Sequence, residues 1–331
     1  MSTSDGVKTA GPGKVGKVYL VTGANVGLGK ETVRQIACWK DTSKIYLACR
    51  SSDKALKVID ELNGDLDLPN GRLAFWHFDA SSSREEIVRS LPTHKVDDHA
   101  PIRFDGIVLN AGGWGNDGSL QPTKPNNVLS VIQVNLIGHL HLLKALEDTS
   151  MLRDNCRIIY SGSEGARGIY DGIVVPGASF RSDPSAVQQQ LVSARSIIDS
   201  YCTAKGLAAL YFAAYARRHP NRHVLTVSPG GTLGTAIFEH TGAPLVIRIF
   251  PAIIKTIAYF LGLLHSVEVG AKRYTDALAG KWDDLYPSGT FVASTWLISG
   301  RLSDQSIKYK EYGDRELQEV VYDVMQKYNQ K

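Results

Sequence analysis

The chain of 331 residues is poor in cysteine, and its four cysteines, Cys38, Cys49, Cys156 and Cys202, form no CxxC pair and no metal-ligand spacing. That excludes a zinc module and a disulfide framework, and no metal is expected. Cys38 and Cys49 fall in a helical and a strand pattern and are expected in the core, which points to a reducing compartment. Residues 1–16 are polar and glycine-rich, without the apolar core of a signal segment, and are expected to form a flexible tail. Net charge is also small. The 37 Lys and Arg against 33 Asp and Glu leave +4, too little to imply a nucleic-acid partner. No repeat, low-complexity stretch or proline- and serine-rich linker divides the chain, so one domain is expected.

One run approaches the ~20 apolar residues that a bilayer requires, Pro244–Leu264. Arg248 and Lys255 would each cost about 2.5–3.5 kcal/mol at mid-membrane, and Pro251 interrupts a helix. Spanning does not fit. Two readings stay open: an apolar cover over a pocket, or a surface segment dipping into lipid with its cations at the headgroups.

What is present is concentrated near the start. Val18-Tyr19-Leu20-Val21 reads as a buried strand, Thr22-Gly23-Ala24-Asn25-Val26-Gly27-Leu28-Gly29 as a glycine-rich turn, and Lys30–Ala37 as a helix. Glycine takes backbone angles that a Cβ forbids, and it lets the main chain approach a pyrophosphate at the positive end of the new helix. Strand, turn and helix in that order make a dinucleotide site far more specific than the glycines alone.

Further apolar runs at Lys44–Cys49, Leu73–Phe78, Ile107–Asn110, Arg157–Tyr160 and Val224–Ser228 read as strands. They are nearly continuous in hydrophobicity, as in a parallel sheet covered on both faces. Helical patterns lie between them at 29–40, 53–62, 84–91, 126–148, 200–219 and 267–280. The order predicts an α/β, doubly wound Rossmann-type domain with helices on both faces of a parallel sheet.

The end of the second strand bears on the cofactor. Where an Asp or Glu about 20 residues past the turn would hold a ribose 2′-hydroxyl, this chain has Arg50. A guanidinium can grip a 2′-phosphate bidentately, which points to NADP(H). Far downstream, Tyr201 and Lys205 stand one helical turn apart on a shared face. A phenol, with a pKa of about 10, is a poor proton carrier at neutral pH, and a neighbouring ammonium stabilises its anion. The pair fits general acid/base work beside a nicotinamide.

With these residues in place the chain resembles the short-chain dehydrogenases/reductases from about Lys17 to about residue 295. The likeness rests on Thr22-Gly23 with Gly27 and Gly29, Asp79-Ala80, Asn110-Ala111-Gly112, Asn135, Ser163, the Tyr201/Lys205 pair and Pro229-Gly230. The Thr-Gly-Ala-Asn turn, its continuation Gly-Leu-Gly-Lys-Glu-Thr and Ala-Cys-Arg50 most resemble the retinol dehydrogenase and protochlorophyllide reductase group. The resemblance implies that Thr22, Gly23, Asn25, Gly27, Leu28, Gly29 and Arg50 bind the cofactor. It adds Asp79 and Ala80 at the adenine end, Asn110, Ala111 and Gly112 along the nucleotide, and Pro229, Gly230 and Thr232. Ser163 would hold the substrate oxygen, Tyr201 would pass its proton, Lys205 would tune Tyr201 and hold the nicotinamide ribose, and Asn135 would hold a relay water.

Two features depart from the pattern. The serine motif reads Tyr160-Ser161-Gly162-Ser163-Glu164-Gly165, so Ser161 stands as an alternative to Ser163. Ser163 and Tyr201 are also 38 positions apart, much further than is common in the family. Residues 164–200, including Ile169-Tyr170, Ile173-Val174-Val175 and Phe180, are expected as an insertion beside the site, either a lid or a surface excursion packed on the sheet. A second substrate-side insertion is placed at 236–265, inside a domain running from 17 to 300.

The expected activity is hydride transfer to or from a carbonyl or alcohol of a bulky hydrophobic small molecule. The alternatives are reduction of a carbon–carbon double bond, and a non-catalytic dinucleotide-sensing scaffold. The cytoplasm or the cytosolic face of a membrane is the expected location, with peripheral contact through 244–264 as an option. Residues 301–331 are read as a C-terminal extension in which Leu317, Val320, Val321, Val324, Met325 and Tyr328 recur at helical spacing, a stripe that docks on its own domain or on a second copy. Monomer and homodimer both stay open. His139 and His141 find no metal partners at suitable spacing and are assigned to solvent or a subunit interface.

Overall fold

Each parallel strand of the main sheet puts alternate side chains into two different cores, which is why those runs are apolar throughout. In β1 (Lys17–Thr22), Val18 and Leu20 enter one cluster while Tyr19 and Val21 enter the other. The computed structural model describes residues 16–92, 101–114, 119–170, 173–174, 179–232, 264–296 and 298–329.

From β1 the chain continues through α1 (Gly27–Ala37), β2 (Thr42–Cys49), α2 (Ser52–Leu66), β3 (Leu73–His77), α3 (Arg84–Arg89) and β4 (Phe104–Leu109). A short antiparallel pair, β5 (Pro122–Thr123) and β6 (Val128–Leu129), leads into one continuous helix. That helix comprises α4 (Ser130–Ile132), a π-helical turn (Gln133–Ile137) and α5 (Gly138–Asp148). Then come β7 (Leu152–Ser161), a small pair β8 (Ile169–Tyr170) and β9 (Ile173–Val174), α6 (Pro184–Val192), α7 (Ile197–Arg218) and β10 (His223–Val227). The last elements are α8 (Val267–Leu278), β11 (Phe291–Trp296), β12 (Ser299–Asp304) and α9 (Arg315–Asn329).

Eight strands form one sheet in the order β12-β11-β10-β7-β4-β1-β2-β3, parallel except for β12. After β3 the chain crosses over β1 to place β4 on its other side. The strand order therefore switches between β1 and β4, and the crevice at their carboxyl ends is where such sheets bind ligands. Helices α1, α2 and α8 cover one face. The other is covered by the α4–α5 helix, α6, α7 and α9. Each fully buried Leu, Ile or Val contributes about 1.5–3 kcal/mol relative to exposure.

The strands and helices expected from the sequence lie where the periodicity placed them, except that the helix expected from 126 begins at Ser130, after strand β6. The pattern missed the short pairs β5–β6 and β8–β9, and α6, β11 and β12. Edge strand β12, Ser-Gly-Arg-Leu-Ser-Asp, has no continuous apolar run because its side chains after Ser299 are exposed or half-buried rather than covered on both faces. The sheet thereby extends to Asp304, past the expected domain end at residue 300. Three placements need correction. Cys38 caps the end of α1 and is exposed, unlike buried Cys49. His139 and His141 are both buried, because α5 carries α3 on one flank and α9 on another, while the π-turn before it packs on α7. The expected tail at 1–16 and Pro244–Leu264, each except its last residue, lie outside the described residues. Among the described residues no helix is long and apolar enough to cross a membrane, and no His/Cys/Asp/Glu group could hold a metal ion.

Candidate active site

The glycine turn opens at the end of β1 with Gly23 at φ +65° and Gly27 at φ +54°, angles that disfavour any side chain. A Cβ on Gly29 would stand 2.3 Å from the carbonyl oxygen of Gly23, so α1 packs directly on the turn. No side chain caps α1 at Val26 and its first turn holds no carboxylate. Its leading N–H groups and dipole are thus suited to an anion. Asn25 beside them is half-buried, and Leu28 is buried against Gly270 of α8. Arg50 is exposed directly after β2.

Across the crevice, the loop after β4 is clamped from three sides. Asn110 N and Ala111 N both donate to Thr22 Oγ1 at 2.8 Å, and Asn110 Nδ2 donates to Thr22 O at 3.0 Å. His139 Nε2 donates to Ala111 O at 2.6 Å, which fixes its tautomer. Burial holds that imidazole down to about 4, so it stays neutral. Asn135 receives Gly113 N on its Oδ1 at 3.1 Å and returns Nδ2 to Gly113 O at 2.6 Å. A Cβ on Gly112 would lie 2.5 Å from Asn135 Oδ1 and 3.7 Å from Lys205 Nζ. Only a bare backbone passes there.

The neighbouring loops are tied down similarly. Asp79 Oδ1 accepts from Ser81 N and Oγ at 2.9 and 2.7 Å, and α5 meets Ala80 so closely that a Cβ on Gly138 would be 2.1 Å from its oxygen. After β10, Pro229 leads to Gly230 at φ +76°, and Thr232 Oγ1 donates back to Gly230 O at 3.2 Å. Buried Glu164 accepts from Ser228 Oγ and Ser294 N, both at 3.0 Å, and from Arg167 Nε at 2.6 Å. This joins the Ser163 loop to the Pro229-Gly230 loop.

Tyr201 and Lys205 lie in the second and third turns of α7, which Ser196 caps by accepting from Asp199 N. Both are buried. Lys205 Nζ donates to Ser161 O at 2.8 Å and sits 5.6 Å from the Tyr201 ring centroid. Burial pushes its amine down to about 7. Ser163 Oγ accepts from Gly165 N at 3.1 Å. A Cβ on Gly165 would be 3.3 Å from Ser163 Oγ and 3.5 Å from Tyr201 Cε1, so serine and phenol flank one glycine. Asn135 lies in the π-turn, and its backbone carbonyl accepts the hydroxyl of Tyr160.

Thr22, Asn110, Ala111, Gly112, Asn135, Ser163, Tyr201 and Lys205 thus converge at the carboxyl ends of β1, β4 and β7. Sequence reasoning missed Trp114, whose ring lies 5.4 Å from that of Tyr201, and it missed Tyr160 and Tyr274. For Tyr160 a signal existed: a hydroxyl within a buried strand needs a partner. Within the expected insertion, residues 164–167 form a 3-10 turn, Phe180 packs against Gly206 of α7, and α6 is capped by Asp183. The side chains of Tyr170, Ile173 and Val174, and all of Val175, lie outside the described residues.

A family model described as short chain dehydrogenase matches residues 17–179. A short chain dehydrogenase/reductase of Colletotrichum higginsianum is 32% identical over 169 residues, which cover 46% of this chain and 37% of that one. Retinol dehydrogenase 11 of Mus musculus is 49% identical over 65 residues, 19% of this chain and 20% of its own. The match therefore spans well under two thirds of either relative. Among solved structures, salutaridine reductase from Papaver somniferum gives a TM-score of 0.55 at 19% identity, covering 83% of this chain and 99% of that one, a likeness of fold.

Proposed function

The chain belongs to the short-chain dehydrogenase family, and on that footing we propose an NADP(H)-dependent oxidoreductase acting on a carbonyl or alcohol of a hydrophobic small molecule. The observation that carries this reading is the buried Lys205 next to Tyr201, with Ser163 on the same side, facing the 110–113 loop.

A bound nicotinamide dinucleotide supplies the hydride. The turn from Thr22 to Gly29 and the uncapped end of α1 receive its pyrophosphate. Arg50 grips the 2′-phosphate, with Asp79 and Ala80 at the adenine end and Pro229, Gly230 and Thr232 closing the opposite side. Ser163 Oγ donates to the substrate oxygen, and Tyr201 gives its hydroxyl proton to that oxygen as charge develops. The Lys205 ammonium stabilises the phenolate left behind. A water on the Asn135 carbonyl would share it with Tyr160, through the second lone pair. The Trp114 ring beside Tyr201 supports an apolar substrate.

The test is NADPH oxidation with a panel of hydrophobic aldehydes and ketones, beside Tyr201→Phe. Turnover on some members, reduced about 10²–10⁴-fold in the variant, is expected. Cofactor binding with no turnover across the panel would instead favour a sensor.

A further inference from the structure

We propose that Tyr160 is a positioning residue for Lys205, its ring face holding the ammonium while its hydroxyl holds the π-turn that carries Asn135. The proposal rests on the reading of Tyr201 and Lys205 as the catalytic pair.

Position in the strand comes first. Tyr160 is the penultimate residue of β7, and alternation turns its side chain towards α5 and α7 while Ile159 enters the opposite core. There it is fully buried, lying against Phe212 at 4.9 Å between ring centroids and meeting His139 edge-on at 5.9 Å. These neighbours leave the ring one orientation. In it, Lys205 Nζ lies 4.9 Å from the ring centroid, within the range of a cation–π contact.

The hydroxyl has a separate task. A π-turn breaks the regular ladder of helix hydrogen bonds, and Asn135 lies within it. Tyr160 donates its hydroxyl to the Asn135 carbonyl, and burial pushes the phenol up, which keeps it a donor. Since the Asn135 side chain clamps Gly113, one tyrosine ties β7 both to the lysine and to the nucleotide loop.

The charges around the lysine make the ring matter. From β7 Tyr160 faces it, from its own helix Tyr201, and from α5 His139, whose imidazole the Lys205 charge helps keep neutral. Tyr274 of α8 bonds the hydroxyl of Ser161, the residue whose carbonyl accepts from Lys205. Burial disfavours the ammonium. The electron-rich ring face and the Ser161 carbonyl oppose that loss, so they extend the pH range over which Lys205 can stabilise a Tyr201 phenolate.

The experiment compares Tyr160→Phe with the same substitution carrying a fully fluorinated ring, which keeps the shape and removes the negative face. Lysine labelled with ¹³C at Cε, with Lys205 assigned through Lys205→Arg, reports its titration by NMR in the protein without cofactor. The Phe variant is expected to titrate with wild type near neutral pH, and the fluorinated variant about one unit lower. The pH profile of alcohol oxidation should shift to higher pH in the fluorinated variant alone. Equal Lys205 midpoints in the two variants would overturn the proposal. Shifted midpoints in a protein that oxidises no alcohol would leave it standing and remove the catalytic reading instead.

Discussion

The hydroxyls of Ser161 and Tyr274 lie 2.7 Å apart in the core and join the end of β7 to α8. That bond engages Ser161 away from Tyr201, whereas Ser163, two residues on, is half-buried and flanks Gly165 together with the phenol. Ser163→Ala is therefore expected to lower turnover about 10²–10³-fold, the usual loss when a donor to a developing oxyanion is removed. Ser161→Ala should leave turnover within a few-fold and cost about 1–3 kcal/mol of stability, because the Tyr274 hydroxyl loses its buried partner. Steady-state rates and urea unfolding on both variants check this. An inactive Ser161→Ala beside an active Ser163→Ala would assign the role to Ser161.

Arg50 is expected to set cofactor preference. It is exposed at the end of β2, the strand paired directly with β1, and so stands beside the turn after β1. A charge-assisted contact to phosphate contributes about 1.5–3 kcal/mol, so Arg50→Ala should weaken NADPH binding roughly 10- to 100-fold. NADH has no 2′-phosphate and should be little affected. Fluorescence titration of both cofactors gives the ratio, and an equal loss would remove the NADP(H) assignment.

What the sequence revealed and what it hid follow from the range of the interactions. The turn, Arg50 and the Tyr201/Lys205 pair are local: a strand end and a helical spacing place each within a few residues. The side chains that hold the Ser161 hydroxyl and the Asn135 and Ala111 carbonyls are those of Tyr274, Tyr160 and His139, and the nearest of these is 25 positions away. No window of periodicity reports such a pair. His139 illustrates the cost. Without metal partners it is assigned from the sequence to solvent or a subunit interface, yet it is a buried donor to the loop beside the site. Arg167, in the 3-10 turn that follows Ser163, was equally invisible, since a buried ion pair with Glu164 at i,i+3 looks in sequence like an exposed helix pair.

The C-terminal helix α9 is expected to be part of the fold rather than an arm for a partner. It packs along α7, with Tyr322 stacked on Tyr211 at 5.1 Å, Arg217 NH2 paired with Glu319 at 2.7 Å, and Tyr328 O accepting from His141 at 3.0 Å. Met325 is fully buried. Met325→Ala should cost about 2–5 kcal/mol, as for other core truncations. Because α9 covers this face of α7, a monomer is expected. Sedimentation and thermal melts check both statements, and a dimer whose dissociation tracks this substitution would contradict them.

Lys205 should carry a stability penalty that only function explains. Burial holds its amine down to about 7, below the ~10.4 of free lysine, so between these values the unfolded chain binds the proton more readily. Stability from this group therefore rises with pH, and the penalty is present in full below about pH 7 and fades towards about pH 10. Replacement by methionine removes the charge and keeps most of the stem. Lys205→Met is expected to abolish turnover while gaining about 1–4 kcal/mol below about pH 7, with the gain shrinking as pH rises. The buried thiols act with the opposite sign. Cys49 is pushed up to about 11 and Cys156 and Cys202 to about 12, so their contribution falls as pH climbs above about 8.5. They are common to both proteins, so the difference between variant and wild type isolates the lysine. Urea midpoints across this range give that difference, and a gain independent of pH would show that Lys205 is not buried as an ammonium.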